Sequence, residues 1–264
     1  MNEKYIFTGK TKNVGSIELK QIKAIKSFLD IVKGEVGGWI EGEFNLNASG
    51  DAWISGNARV YGNARVYGNA RVSGDARVSG NAWVSDDARV YGDARVYGDA
   101  WVYGNARVYG DARVYGGARV YGDARVYGDA RVYGDARIYG DAWISGNAWV
   151  YGNARVSDDA RVYGNARVSG DARVSGNDGV SGGARVSGDA RVYGNKHIVW
   201  LSNIGSRFDT TTFYKCENGF KVSCGCFLGT IDEFEIAVKH THAGTKFEKE
   251  YNLAIQLAKT HFDI

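Results

Sequence analysis

The side chains best suited to chemistry lie after residue 195 of the 264-residue sequence. They are histidines and cysteines, the residue types that bind zinc, act as general bases or serve as nucleophiles. The set comprises His197, His240, His242, His261, Cys216, Cys224 and Cys226. Whether they form a site depends on the elements that carry them.

The histidine spacing does not favour a shared site. On the helix predicted here, His240 and His242 lie about 200° apart around the axis, so they cannot converge on one ion. Cys226 and His242 could form a nucleophile and base, but no third group is placed to orient the imidazole. This pair is therefore kept only as a minor alternative.

The cysteine spacing is also unfavourable for a metal. Cys224 and Cys226 fall on one face of a predicted strand, which is a suitable start. Cys216, however, is out of register with Cys224 across a predicted two-residue Asn218–Gly219 type I′ turn. We therefore expect core thiols, no metal ion and no cofactor.

A six-residue repeat dominates the rest of the chain. From Gly50 to Tyr193 the sequence forms 24 consecutive units of Gly-[Asp/Asn]-Ala-Arg-Val-[Tyr/Ser] without a register slip. Column five is Val or Ile in every unit, and column three is Ala in all but one, where Asp178 stands. Column four is Arg in 18 units and Trp in five.

The columns predict a β-solenoid. Glycine every six residues excludes a helix, whereas Ala-Arg-Val-Tyr alternates inward and outward on a pleated strand. Gly and Asp or Asn then form the corner, because they tolerate the positive φ of a tight bend. Such a short strand buries its Val only by stacking on copies of itself.

The units resemble the hexapeptide-repeat family, as in Val60-Tyr61-Gly62-Asn63-Ala64-Arg65, where a small residue follows an aliphatic one four positions later. The resemblance implies a single-stranded left-handed parallel β-helix with three units per triangular coil. The 24 units would then form eight coils, and the shaft would be about 38 Å long at the strand spacing of a sheet.

The start of the repeat carries a narrower resemblance. The stretch through Trp39-Ile40-Glu41 into Gly50-Asp51-Ala52-Trp53-Ile54 is similar to YdcK-like hexapeptide proteins of enteric bacteria and their phage-borne relatives. Those proteins are commonly labelled transferases on the basis of fold alone. A phage or prophage origin is accordingly a hypothesis for this chain.

Tyrosine fills column six without interruption through nine units, or three coils. We expect a belt of exposed rings that could contact a sister subunit or a partner, although Tyr could equally serve β propensity alone. The belt comprises Tyr91, Tyr97, Tyr103, Tyr109, Tyr115, Tyr121, Tyr127, Tyr133 and Tyr139.

Charge does not favour a polyanion partner. The net charge is +3, and the repeat interleaves 18 Arg with 16 Asp, which we expect to offset one another. Binding of a nucleotide or nucleic acid through Arg and Tyr ladders is therefore an alternative that we do not favour. Asp178 would place a carboxylate in an inward position, where it needs hydrogen-bond partners.

The composition changes at both ends of the repeat. We predict an N-terminal cap over residues 1–49, a β-helix over 50–195 and a small C-terminal α+β module over 196–264. The module is predicted to hold a hairpin from Phe213 to Phe227 and two helices, which begin at capping boxes after Thr230 and Thr245. Gly244 is predicted to end the first of these helices.

The sequence thus predicts a mainly β, non-enzymatic scaffold whose shaft presents a partner-docking module. The partner would be another protein or further copies of the chain, a homotrimer among them. The enzymatic alternative is an acyltransferase-like site between subunits that uses His197, but the repeat has neither a histidine nor an inserted loop. With three cysteines and no long apolar run or signal sequence, we expect a cytoplasmic protein without membrane contact.

Overall fold

The computed structural model of the protein describes residues 3–177 and 179–264. The N-terminal region begins with three longer strands, β1 (Tyr5–Val14), β2 (Ile17–Ala24) and β3 (Val36–Ile40). β1 and β2 are antiparallel, and β2 pairs antiparallel with β3. A short 3₁₀ helix at Glu43–Asn45 leads into the repeat.

The repeat forms a shaft of two-residue strands, one for each hexad. In chain order, β4 to β27 are Trp53–Ile54, Arg59–Val60, Arg65–Val66, Arg71–Val72, Arg77–Val78, Trp83–Val84, Arg89–Val90, Arg95–Val96, Trp101–Val102, Arg107–Val108, Arg113–Val114, Arg119–Val120, Arg125–Val126, Arg131–Val132, Arg137–Ile138, Trp143–Ile144, Trp149–Val150, Arg155–Val156, Arg161–Val162, Arg167–Val168, Arg173–Val174, Gly179–Val180, Arg185–Val186 and Arg191–Val192.

These strands form three parallel faces. Each strand pairs with the strands three before and three after it, so that Arg95 lies between Arg77 and Arg113. The first face runs from β4 to β25, the second from β5 to β26 and the third from β6 to β27. β3 pairs in parallel with β5, so the N-terminal strands extend the second face. The structure confirms the predicted solenoid of about eight coils.

The interior of the shaft is made of two columns. The Ala of column three and the Val or Ile of column five are fully buried along the described shaft, as at Ala112 and Val114. Arg of column four points outward, because alternate residues of a strand face opposite sides. Stacked coils therefore share one continuous apolar core.

The corner conformation differs in one respect from the prediction. The shaft glycines of column one have φ between +61° and +75°, whereas the Asp or Asn that follows them has no positive φ. The left-handed bend is therefore confined to column one. Asp86 and Asp158 replace glycine in this column, and both adopt φ of +56°.

Polar side chains close the N-terminal end of the shaft. The buried Asn45 donates to the carbonyls of Gly62 (3.0 Å) and Ala64 (2.9 Å), and it accepts from the backbone N–H of Glu41 and Gly42. The Lys4 ammonium donates to the carbonyl of Ala52 at 3.0 Å. These bonds satisfy backbone groups that a solenoid leaves unpaired at its end.

A four-stranded antiparallel sheet follows the shaft. After a short 3₁₀ helix at Asn195–His197, its strands are β28 (Ile198–Ile204), β29 (Asp209–Cys216), β30 (Gly219–Cys224) and β31 (Phe227–Thr230). Tyr214 and Cys216 on β29 join the core of the shaft, while Phe213 and Val222 pack on the other side against the helices. β29 therefore covers the end of the shaft.

Two turns of this sheet differ from the prediction. Cys216 pairs with Gly219, so the turn between β29 and β30 consists of Glu217 and Asn218, and not of Asn218–Gly219. Cys224 pairs with Phe227, which places Cys226 in the next turn. Cys224 and Cys226 do not share a strand face, and that expectation was wrong.

The two predicted helices are α1 (Ile231–His242) and α2 (Lys246–Phe262). The Thr230 capping box is present, with reciprocal bonds to Glu233. Thr245 also caps its helix, but the Glu248 carboxylate accepts from the N–H of Gly244 instead of completing a box. Gly244, with φ of +74°, follows α1 as predicted.

Candidate functional site

The predicted tyrosine belt consists of three separate stacks. Each ring lies face to face with the ring 18 residues away, with centroids 4.8–5.1 Å apart. The stacks are Tyr91–Tyr109–Tyr127, Tyr97–Tyr115–Tyr133–Tyr151 and Tyr103–Tyr121–Tyr139. All nine predicted tyrosines are half-buried, so the rings are less exposed than expected.

Partial burial within the stacks changes the acidity of some of the phenols. Partial burial raises the pKa of Tyr109 and Tyr121 above the ordinary value, and the neighbouring phenols of each stack add to the effect. Each stack covers a narrow strip of the shaft beside a corner, and a contact role for the belt remains a prediction.

Tryptophan interrupts the arginine columns and interacts with them. The guanidinium groups of Arg131 and Arg167 lie 4.9 and 4.8 Å from the ring of Trp149, one on the coil before and one on the coil after it. Trp143 is placed in the same way between Arg125 and Arg161. At these positions two stacked arginines would repel each other, whereas an arginine and a tryptophan ring attract.

Asparagine and aspartate form hydrogen-bonded ladders along two of the three corners. The Asn105 amide donates to the Asp123 carboxylate at 3.0 Å, and the Asn153 amide donates to Asp171 at 3.0 Å. Each bond joins residues one coil apart. The amide relieves the repulsion that two stacked carboxylates would have.

A cleft in the C-terminal module brings together cysteine, histidine and charged side chains. Its volume is about 420 Å³, and it lies between two turns of the sheet and the two helices. Phe227, Phe234, Val238 and Tyr251 supply apolar surface. Polar groups in the lining are Arg207, Asp209, Cys224, Cys226, Thr241 and His242.

Gly205 leaves room for the Tyr251 side chain beside the turn after β28. A Cβ on Gly205 would lie 1.8 Å from the hydroxyl of Tyr251, and the φ of Gly205 is +73°. Its N–H donates to the Glu250 carboxylate at 2.9 Å. The turn after β28 is thereby fixed to α2, and the Tyr251 side chain is held against the sheet.

The three cysteines have different environments. Cys216 is buried, and burial together with the nearby Asp189 carboxylate raises the pKa of its thiol to about 12. Cys224 accepts from the Thr211 hydroxyl at 3.1 Å and donates to the Tyr251 hydroxyl at 3.8 Å. Cys226 is exposed. The thiols do not converge on a common point.

The cleft is unsuited to a metal ion in the arrangement present. Over residues 3–177 and 179–264, no three His, Cys, Asp or Glu side chains are close enough to bind one. The structure does bring Cys226 and His242 to the same cleft, which sequence reasoning could only suggest. Sequence reasoning did not place Arg207, Asp209 and Tyr251 in a site. A glycine at position 205 is the only feature of the sequence that indicates a close contact here.

The hydrogen bonding of His197 does not suit a general base. Its Nδ1 accepts a hydrogen bond from the backbone N–H of Tyr193 at 3.0 Å, and burial lowers its pKa. The neutral ring therefore carries its proton on Nε2. His261 interacts through Nε2 with the Asn195 carbonyl at 2.9 Å. Both rings serve the junction between the shaft and the module.

The outer face of α2 exposes apolar side chains. Leu253 and Leu257 are 66% and 48% exposed and lie one turn apart, about 100° around the helix axis from the buried Ala254 and Ala258. Ile236 on α1 is 71% exposed. Large aliphatic side chains in pairs on a helix are typical of contact surfaces.

Asp178, which was expected to put a carboxylate inside the shaft, lies outside the described residues. The helices that the structure describes, α1 and α2, are too short and too polar to cross a membrane.

A comparison with protein families gives one match. The family model described as YdcK Beta solenoid repeat matches residues 52–86, 88–182 and 184–198 in overlapping copies. The matched residues make up more than half of the chain and coincide with the shaft. None of the curated proteins compared with the chain matches it significantly.

Proposed function

Because the chain belongs to the YdcK β-solenoid repeat family, we propose that it acts as a non-enzymatic scaffold. The shaft is a spacer of fixed length, and the C-terminal module docks a partner protein. The enzyme alternative relies on His197 at the end of the shaft, because the repeat itself offers no histidine, lysine, glutamate or cysteine.

The regularity of the shaft supports a spacer. From β4 to β27 every hexad contributes one strand, and consecutive coils are joined by backbone hydrogen bonds such as Arg95 N–H to the Ala112 carbonyl at 2.9 Å. A solenoid that gains or loses whole coils keeps its cross-section and changes only its length. Such a body separates its two ends by a fixed distance.

The exposed leucines of α2 carry the docking part of the proposal. Leu253 and Leu257 present an apolar strip on a helix whose opposite side is held by the core of the module. A helix of this kind binds an apolar groove or another helix. The partner is therefore a protein with a complementary apolar surface, and the junction with the shaft holds the strip in place.

The docking role can be tested with matched variants. Leu253→Glu with Leu257→Glu places two charges on the strip, whereas Asn252→Glu with Gln256→Glu adds the same charge at neighbouring exposed positions. Photo-crosslinking through an exposed residue of α2 in a native extract should give one protein adduct for the wild type and the control. The leucine variant should lose it. An adduct that survives the leucine changes would contradict the proposal.

The acyltransferase alternative makes an opposite prediction. An enzyme of that class must bind acetyl-CoA, and its base must accept a proton, whereas His197 Nδ1 is already occupied by the Tyr193 N–H. Calorimetry with acetyl-CoA should show no binding. Clear binding with a dissociation constant in the micromolar range would overturn the scaffold assignment.

A further inference from the structure

One corner of the shaft carries a run of stacked carboxylates. The second corner, which precedes the second face, has aspartate in column two on four successive coils. These residues are Asp75, Asp93, Asp111 and Asp129. All four are exposed, and coils stack at about 4.8 Å, so the carboxylates repel one another.

On the other corners asparagine relieves part of this repulsion. The first corner also stacks Asp123, Asp141 and Asp159, but there Trp143 interrupts the arginine column beside the carboxylates. On the first corner Asn69 donates to Asp87 and Asn105 donates to Asp123, both at about 3 Å. On the third corner Asn81 donates to Asp99 at 2.9 Å. The run from Asp75 to Asp129 contains no asparagine that could do the same.

A column of arginines lies beside the acidic run. Two residues after each aspartate, the second face carries Arg77, Arg95, Arg113 and Arg131 on the same four coils. The ion pairs formed by shaft arginines in residues 3–177 and 179–264 go to the two ends of the chain, as in Arg71–Asp30 and Arg191–Glu217. The two columns thus face solvent side by side without pairing to each other.

We infer that this acidic and basic strip binds the same strip of a second copy of the chain. The two shafts lie parallel and in register. A two-fold axis parallel to the shaft, between the two columns, exchanges left and right. It therefore places each Asp column opposite the Arg column of the other copy. Asp93 then faces Arg95 of the second copy, and the same holds on all four coils.

The antiparallel arrangement does not have this complementarity. A two-fold axis across the shaft reverses the coil order but leaves left and right unchanged. It would place Asp opposite Asp and Arg opposite Arg, which is repulsive. The order of the two columns thus selects the parallel pair.

The strip also selects two copies. Its columns are two residues apart on a strand, or about 7 Å. In a ring of three, the Asp column would face one neighbouring copy and the Arg column another. Columns only about 7 Å apart are too close together to face two different copies. Two copies facing each other satisfy all eight charges of each strip.

The first test measures mass in solution for the full chain. At about 0.02 M salt the wild type should be a dimer, and at about 0.5 M salt, where exposed charges are screened, a monomer. Replacing the four aspartates by asparagine should abolish the dimer. The fold tolerates this change because asparagine occupies the same column at Asn57 and Asn69.

A matched control separates local pairing from net charge. Asp87→Asn, Asp123→Asn, Asp141→Asn and Asp159→Asn remove the same four charges from the first corner and should leave the dimer intact. A wild-type monomer or trimer at low salt, or equal effects of both sets of changes, would overturn the inference.

Charge reversal gives a sharper result. A variant with the four aspartates changed to lysine, and one with Arg77, Arg95, Arg113 and Arg131 changed to glutamate, should each be monomeric. An equimolar mixture should form a heterodimer, because each altered column then faces its opposite. Failure of the mixture to associate while both variants remain folded by circular dichroism would contradict the pairing.

The exposed Cys226 reports the direction of the shafts. In a parallel pair, the labelled modules lie at the same end. In an antiparallel pair, they are separated by more than the shaft length of about 38 Å. Pulsed electron resonance on spin-labelled Cys226 at low salt should therefore give an inter-chain distance shorter than the shaft. A distance beyond that length would overturn the parallel arrangement.

Discussion

The Asp86 carboxylate accepts a hydrogen bond from the backbone N–H of Gly104, 3.0 Å away on the next coil. Asp86 occupies the glycine column with φ of +56°. Asp158, four coils further, makes the equivalent bond to Gly176 at 3.3 Å. Aspartate tolerates the left-handed conformation better than most residues, and its side chain here bonds to a corner N–H.

The bond to Gly104 predicts the effect of substitutions at Asp86. Asp86→Ala loses the acceptor and places a Cβ residue without a polar side chain in the left-handed region, so unfolding free energy should fall by about 1–2 kcal/mol. Asp86→Asn keeps an acceptor and should change the free energy of unfolding by less than about 0.5 kcal/mol. Denaturant titration of both variants tests this, and equal effects would show that the acceptor contributes nothing.

Glycine in the corner has two separable roles. Gly110 has φ of +67°, and a Cβ there would lie 3.0 Å from the backbone nitrogen of Gly128. Gly188 has nearly the same φ, +65°, but only the Lys221 ammonium lies near its Cβ position, at 4.0 Å.

The comparison of the two glycines gives a second prediction. Gly188→Ala carries only the conformational cost, about 1–2 kcal/mol. Gly110→Ala adds a backbone clash and should destabilise the shaft by at least about 1 kcal/mol more. Thermal unfolding measures both. Equal melting temperatures would mean that the coils yield freely to the added methyl group.

The shaft was predictable because every hexad places the same residue types in the same inward and outward positions. Val60 and Ala64 face inward because alternate residues of a strand share a side, and the same holds one coil later. An error in predicting one hexad therefore does not carry over to the next. The partial burial of Tyr109 was not predicted, because it depends on stacking against the rings of Tyr91 and Tyr127, each 18 residues away. Side-chain stacking along the axis depends on the true spacing of the coils.

The C-terminal module lacks this redundancy. Asn218-Gly219 has the composition of a type I′ turn, but pairing of Cys216 with Gly219 moves the turn one residue back. That shift is set by β29, whose Tyr214 must reach the core of the shaft. The helices were predictable from Thr230 and Thr245, since helix caps are local. The cleft required tertiary contacts such as those of Tyr251.

Burial of Cys216 predicts a pH dependence of stability. Its pKa is about 12 in the folded chain, against 9.0 for an unperturbed thiol. Above about pH 9 the unfolded chain releases a proton that the folded chain retains, so stability is full below this pH and falls towards pH 12. Cys216→Ser removes this loss, whereas Cys226→Ser does not. Denaturation at several pH values compares them, and identical profiles for the two variants would contradict the assignment.

If the shaft acts as a spacer, its length must follow the number of coils. Deletion of residues 92–127 removes two complete coils and joins Tyr91 to Gly128 in register on the same face. The unfolding temperature should change little, because the stacked columns are restored across the junction.

The most direct measurement is the distance between spin labels on Cys226 and on a cysteine placed at the exposed Val32, taken at about 0.5 M salt so that single chains are observed. The deletion should shorten this distance by about 10 Å, two coil spacings, without broadening its distribution. An unchanged or broadly distributed distance would contradict the spacer account.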